Sequence, residues 1–229
     1  MQDTYEGKFI VLEGIDGSGK STQLALLKNH FEKLGQKIAT FDFPQYNKKS
    51  AGMVEEYLSG KYGLLKEVGP YEASVFYAID RYDASFKIKE WLKKGYLVLS
   101  DRYVGSNIGH QGGKIKNEKG QAAYFKWLYD LEYRIFKILK PTLSIILNVP
   151  PKIAYELCEN SERRKTKKKD IHEDSLKHLD DAKKAYLHAT RLFPNDFVVL
   201  NCMANGTLQS PQEIHKRILN ILTEKLKRV

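Results

Sequence analysis

The residues best equipped for chemistry form one run, Gly14-Ile15-Asp16-Gly17-Ser18-Gly19-Lys20-Ser21-Thr22, which fits G-x-x-x-x-G-K-[ST]. It follows the apolar run Phe9 to Leu12 and precedes an amphipathic segment that starts at Ser21. A strand feeding a helix through a glycine-rich turn is the setting a phosphate-binding loop requires. The glycines let the backbone curl until several N–H groups point at one anion, and the helix adds the positive end of its dipole. Gly14, Gly17, Ser18, Gly19 and Thr22 are therefore assigned to an ATP phosphate site. Lys20 is expected to stand in a solvent-facing loop, pack against nothing and reach the β and γ phosphates, with Ser21 holding Mg²⁺.

Asp101 ends the apolar run Tyr96 to Ser100 and has the position of a Walker-B carboxylate, able to hold Mg²⁺ directly or through water. The plainer reading is a strand-end aspartate capping a turn. Phosphoryl transfer also needs positive charge spread over the moving group. Lys20, Arg102, Arg163 and Arg164 are the candidates. The last two lie in Glu162 to Lys169, which holds six basic residues. Charge alone favours a solvated loop there; the alternative is a segment that closes over the phosphates and supplies an arginine in cis.

The elements that must position these groups alternate. Strands are predicted at Phe9–Glu13, Ile38–Phe43, Tyr96–Asp101, Leu143–Val149 and Phe197–Asn201. Helices are predicted from Lys20 to Leu34, Ser50 to Leu58, Tyr71 to Lys94, Gln121 to Leu139 and Lys152 to Asn160. Another runs from the capping box Asp170-Ile171-His172-Glu173 to Leu192, and a last one begins with Ser210 as N-cap and Pro211 behind it. This is an α/β fold of the P-loop NTPase type, a five-stranded parallel sheet covered by helices on both faces, built as a single domain over residues 1–229. Ligands bind outside the carboxyl ends of such strands, which brings Gly14–Ser21, Phe43–Tyr46 and Asp101–Asn107 around one crevice.

With 229 residues, 42% of them hydrophobic, the chain can bury a large core without being split. A net charge of +10 would suit a nucleic-acid binder, but the excess sits in Glu162–Lys169 and near the end, at Lys225, Lys227 and Arg228, with few interleaved aromatics. No nucleic-acid partner is expected. Cys158 and Cys202 lie in unlike contexts and read as buried thiols in a reducing compartment. Met1 to Glu6 has neither a basic nor an apolar leader region, and no 18 apolar residues run together, so a cytoplasmic protein without membrane contact is expected.

These residues, taken as an ordered set, resemble the thymidylate kinases along essentially the whole chain. The set is Gly14 to Thr22, Phe43-Pro44-x-Tyr46, Asp80-Arg81-Tyr82, Asp101-Arg102-Tyr103 with Ser106-Asn107, and the arginine-containing lid at about 160–172 before Asp170-x-His172-Glu173. The resemblance implies ATP- and Mg²⁺-dependent phosphorylation of dTMP to dTDP by a homodimer, formed through the helices around residues 71–94 and 121–139. It implies that Asp16 accepts a hydrogen bond from the 3′-hydroxyl of dTMP and that Arg102 holds its phosphate. Tyr77 would stack on thymine, although core packing is the plainer reading of its neighbours, and Arg81 would donate to O4. Asn107 would complete recognition of the base edge. Phe43, Tyr46, Ser106 and Tyr186 complete the dTMP pocket. Two departures stand out: His110 occupies a position where many members carry Tyr or Phe against the ribose, and Gly17 stands where some carry a basic residue. With no base in the loop, the resemblance raises Arg163 and Arg164 to the catalytic arginines. A deoxynucleoside kinase would need a carboxylate just after the second strand, where Phe43-Pro44-Gln45-Tyr46 stands. A GTP switch would need N-K-x-D, and Asn47-Lys48-Lys49-Ser50 lacks the aspartate.

Overall fold

The computed structural model describes residues 5–64, 67–159 and 176–226. Strands β1 (Lys8–Glu13), β2 (Ile38–Asp42), β3 (Leu97–Asp101), β4 (Leu143–Asn148) and β5 (Phe197–Asn201) form one parallel sheet in the order β2-β3-β1-β4-β5. Phe9, Ile10, Val11 and Leu12 of β1 are all buried, as a strand covered on both faces demands. The register sets Leu12 opposite Asp101, so the loop leaving β1 and the segment leaving β3 start side by side. The chain visits β2 and β3 on one side of β1 and then crosses to β4 on the other. That reversal opens a crevice at the strand ends.

The α-helices among the described residues are α1 (Lys20–Lys33), α2 (Gly52–Leu58), α3 (Pro70–Lys93), α4 (Val104–His110), α5 (Glu118–Tyr129), α6 (Pro151–Glu159), α7 (Leu176–Leu192) and α8 (Pro211–Leu226). At the start of α8 the expected cap is present: Ser210 Oγ accepts the Glu213 N–H at 3.3 Å, and the Glu213 carboxylate accepts the Ser210 N–H at 2.8 Å.

Three differences from the sequence reading have physical causes. No helix is predicted over Val104–His110, where two glycines, a serine and an asparagine disfavour one; α4 forms there with the buried Glu13 accepting from Tyr103 N–H at 2.8 Å and Ser106 Oγ at 2.7 Å. The helix predicted over Gln121–Leu139 starts earlier, where Asn117 caps Gly120 N–H at 2.7 Å, and gives way after Tyr129 to a π-helical turn, Asp130–Ile135, that carries Glu132 inward. A short hairpin, β6 (Met203–Ala204) and β7 (Thr207–Leu208), turns on Asn205-Gly206 at φ 50° and 77°, a pair whose hairpin preference the sequence displays. The lid and the capping box at Asp170–Glu173 lie outside the described residues.

Candidate active site

A cavity of about 540 Å³ opens at the carboxyl ends of β1 and β3. Asp16, Gly17, Ser18, Gly19, Lys20, Ser21 and Thr22 line it, as do Phe43, Tyr46, Tyr77, Arg81, Asp101, Arg102, Ser106, Asn107 and His110. Gly14 is not among its lining residues, and Arg163 and Arg164 lie outside the described residues.

The phosphate loop is tied to itself through Lys20. This side chain is buried, contrary to the expectation of an exposed lysine. Its Nζ donates to the carbonyls of Gly14 at 3.0 Å and Ile15 at 2.9 Å, and lies 3.5 Å from Ser18 Oγ. Burial, and then the Arg102 charge, lower its pKa against the pull of Asp101, Asp16 and Glu13. Gly17, at φ 79°, leaves no room for a side chain: a Cβ there would lie 1.9 Å from the carbonyl oxygen of Ala154 in α6. The packing of α6 on the loop therefore excludes any base at this position.

Asp101 is also buried, and its Oδ1 has no hydrogen-bond partner among the described residues. A buried carboxylate oxygen with nothing to accept from, lining the same cavity as the Ser21 hydroxyl, suits a hard divalent cation such as Mg²⁺. No group of three or more His, Cys, Asp or Glu side chains suited to a metal ion occurs among the described residues, so a cation here would take other ligands from phosphate and water.

Arg102 occupies the left-handed region at φ 70°, with its N–H on the carbonyl of Leu12 at 2.9 Å. That conformation turns the guanidinium back across the loop onto the Asp16 carboxylate, with Ser106 Oγ at 3.4 Å and His110 Nε2 at 3.1 Å. Burial alone would raise the Asp16 carboxyl, but Arg102, then His110, Lys20 and His178, hold it well below the usual range. His110 Nδ1 in turn lies 3.1 Å from His178 Nε2 in α7.

At the far end of the cavity Tyr77 meets Tyr57 edge-on at 6.3 Å, and Asn107 Nδ2 donates to the Ser74 carbonyl at 3.3 Å. The Arg81 Nε donates to Glu132 at 2.9 Å, and its Nη2 joins the same carboxylate oxygen. Asp80 fastens the Phe43–Tyr46 turn by accepting from Gln45 N–H at 2.8 Å and Ser50 Oγ at 2.7 Å. Tyr186 does not line the cavity, which corrects its assignment to the pocket: its ring packs behind α4 against Gly109, where a Cβ would come within 2.2 Å, and its hydroxyl donates to Glu13 at 3.1 Å. Cys202 is buried as expected, whereas Cys158 is half-buried and lines the cavity.

A family model described as Thymidylate kinase matches residues 12–218. The chain belongs to the thymidylate kinase family. It is accordingly a phosphotransferase, in a family whose reaction is the ATP-dependent phosphorylation of dTMP. The thymidylate kinase of Mycobacterium tuberculosis strain H37Rv is 32% identical over 158 residues, 68% of this chain and 72% of that one. That of Mesoplasma florum is 28% identical over 220 residues, covering 95% and 96% of the two chains. The structure of the thymidylate kinase from Candida albicans shares the fold, with a TM-score of 0.72 at 20% identity over 97% of this chain and 93% of that one. Four residues that support the site are given no role by the sequence motifs: Glu13, Asp80, Glu132 and His178. Only Asp80 carried a signal, as the neighbour of Arg81; the others act across more than 50 positions of chain.

Proposed function

We propose that the chain transfers the γ-phosphoryl group of ATP to the phosphate of dTMP, with donor and acceptor meeting between the phosphate loop and Arg102. The observation that carries this reading is that Lys20, the Arg102–Asp16 pair and Tyr77 with Arg81 all line one cavity. ATP phosphates take the loop's N–H groups and the Lys20 ammonium, which exchanges the Gly14 and Ile15 carbonyls for phosphate oxygens. Mg²⁺, held by Ser21 and Asp101, would neutralise phosphate charge when bound. Arg102 holds the acceptor phosphate, and Asp16 accepts from the 3′-hydroxyl. Tyr77 stacks on the base while an Arg81 hydrogen taken neither by Glu132 nor by the Tyr103 carbonyl donates to O4. Arg163 and Arg164 are assigned to the lid, where one supplies positive charge in the transition state and closure excludes water.

The protein is assigned to the cytoplasm, in keeping with two cysteines that form no disulfide. The homodimer reading is supported by Ile79, Tyr82 and Phe86, which repeat along one side of α3 and are exposed, as is Ile135 at the end of the π-turn. Sedimentation at micromolar concentration checks this: F86D should yield monomers.

ADP release with ATP, Mg²⁺ and a panel of acceptors tests the reaction. The arginine that donates to O4 leaves a donor facing a donor with cytosine, so dCMP should be worse by about 10⁴-fold. Only the 5-methyl group separates dUMP, which should be used ~10 to 200-fold less efficiently. With His110 near the sugar, UMP should retain weak activity. Faster turnover of dCMP or of unphosphorylated thymidine would remove the dTMP assignment.

A further inference from the structure

We infer that His178, acting through His110, sets the direction of the Arg102 guanidinium and is a positioning residue for the acceptor phosphate. This rests on the reading of Arg102 given above. A guanidinium can only donate hydrogen bonds, and it keeps its charge at any working pH. Since Arg102 Nη1 lies 3.1 Å from His110 Nε2, that nitrogen must be the acceptor. His110 is then neutral with its hydrogen on Nδ1. Nδ1 lies 3.1 Å from His178 Nε2, which must accept in turn, so the hydrogen of His178 sits on its Nδ1. The two rings are near parallel at 27°, with centroids 5.3 Å apart, and both side chains are buried. Three groups on three elements thus form a directed chain, Arg102 to His110 to His178, that fixes two tautomers.

The chain has one breaking point. If the histidine pair takes up a proton from water, His178 Nε2 becomes a donor, His110 Nδ1 must accept, and the His110 hydrogen moves to Nε2. Two N–H groups then oppose each other between His110 and Arg102, and the guanidinium loses this anchor. The groups facing His178 among the described residues are His110 from α4, Asp16 from the phosphate loop, Lys114 from the turn after α4 and Asp181 from its own helix. Burial has the largest effect and Lys114 adds to it, outweighing the two carboxylates, so the His178 pKa is lowered and the neutral pair persists at neutral pH.

Two measurements on the full chain test the inference. In ¹⁵N-histidine-labelled protein without substrate, the ring resonances of His110 should show the Nδ1–H tautomer at pH 8 and change as pH falls through the titration of His178. An Nε2–H tautomer at pH 8 overturns it. KM for dTMP is then followed from pH 5.5 to 8.5 in the parent, H178Q, H178L and R102A. The glutamine amide oxygen can accept where the ring nitrogen did but cannot be protonated. H178Q should therefore stay within about threefold of the parent at pH 8 and lose the part of the acid rise that belongs to the enzyme. The substrate phosphate titrates equally with both proteins and cancels in the ratio. H178L, with no acceptor, should raise KM for dTMP about tenfold across the range and leave KM for ATP unchanged. An H178Q profile that parallels the parent overturns the inference. Unchanged KM for dTMP in R102A would overturn the reading of Arg102 instead, while the tautomer measurement still decides whether His178 orders the pair.

Discussion

Arg81 of α3 and Glu132 of the π-helical turn form an ion pair whose side chains are 1% and 0% exposed. Burial works against the Arg81 charge, and the Glu132 carboxylate at hydrogen-bond distance keeps it in place. Both contacts fall on Glu132 Oε1, while Oε2 is buried without a partner among the described residues. Removing one partner strands the other charge. E132A should lower unfolding free energy by about 3–5 kcal/mol, and R81M/E132L should recover most of it while dTMP loses its advantage over dCMP. Urea denaturation beside kcat/KM for both nucleotides checks this; an E132A midpoint equal to the parent's would show that the pair stabilises nothing.

Lys20 packs against its own loop. K20A should lower kcat by roughly 10²- to 10³-fold, the loss seen when a transition-state donor is removed. Stability should change little, because three contacts disappear together with the cost of burying an ammonium. Thermal melts and single-turnover rates separate the two effects, and a near-normal rate would remove Lys20 from the phosphate site.

At Gly17, alanine must take φ 79° and push against the Ala154 carbonyl. G17A should cost ~2–4 kcal/mol, with KM for ATP raised because the loop or α6 has to shift. Normal melting and normal KM would mean that α6 does not lean on the loop.

Stability should fall on the acid side in two steps. His178 has a lowered pKa in the folded chain, so its contribution is full above the unfolded value of 6.5 and is lost as pH falls through the lower folded value. Asp16 is depressed too, so its contribution is full above 3.8 and is lost further down. Urea midpoints from pH 8 down to pH 1.5 should lose the upper step in H178Q and the lower one in D16N. A step that survives its own substitution belongs to another group.

Much of this arrangement is legible in the residues. The loop motif between an apolar run and an amphipathic one, and Asp101-Arg102 at the end of a second apolar run, suffice to bring phosphate ligands to one sheet edge. Periodicity fails where a distant side chain decides the local structure. Val104–His110 carries two glycines, and its helix is anchored by Glu13, which accepts from the Tyr103 N–H and the Ser106 hydroxyl. The extra residue per turn that swings Glu132 onto Arg81 breaks the 3.6-residue rhythm from which a longer helix was read. Tyr186 shows the converse: its residue type suits a nucleotide pocket, but the α4 backbone at Gly109 stands in front of it.

The central place of β1 has a consequence for synthesis. Its neighbours are β3, entered at Lys8↔Leu97, and β4, entered at Ile10↔Leu143. β1 therefore leaves the ribosome before the other strands of the sheet and acquires its second partner only after more than half of the chain has followed. At about 5–20 residues per second, Phe9 to Leu12 spends several seconds with an open edge. The nascent chain thus carries an unpaired apolar strand through much of its synthesis, and a chaperone that covers this strand would act before the nucleotide site is complete.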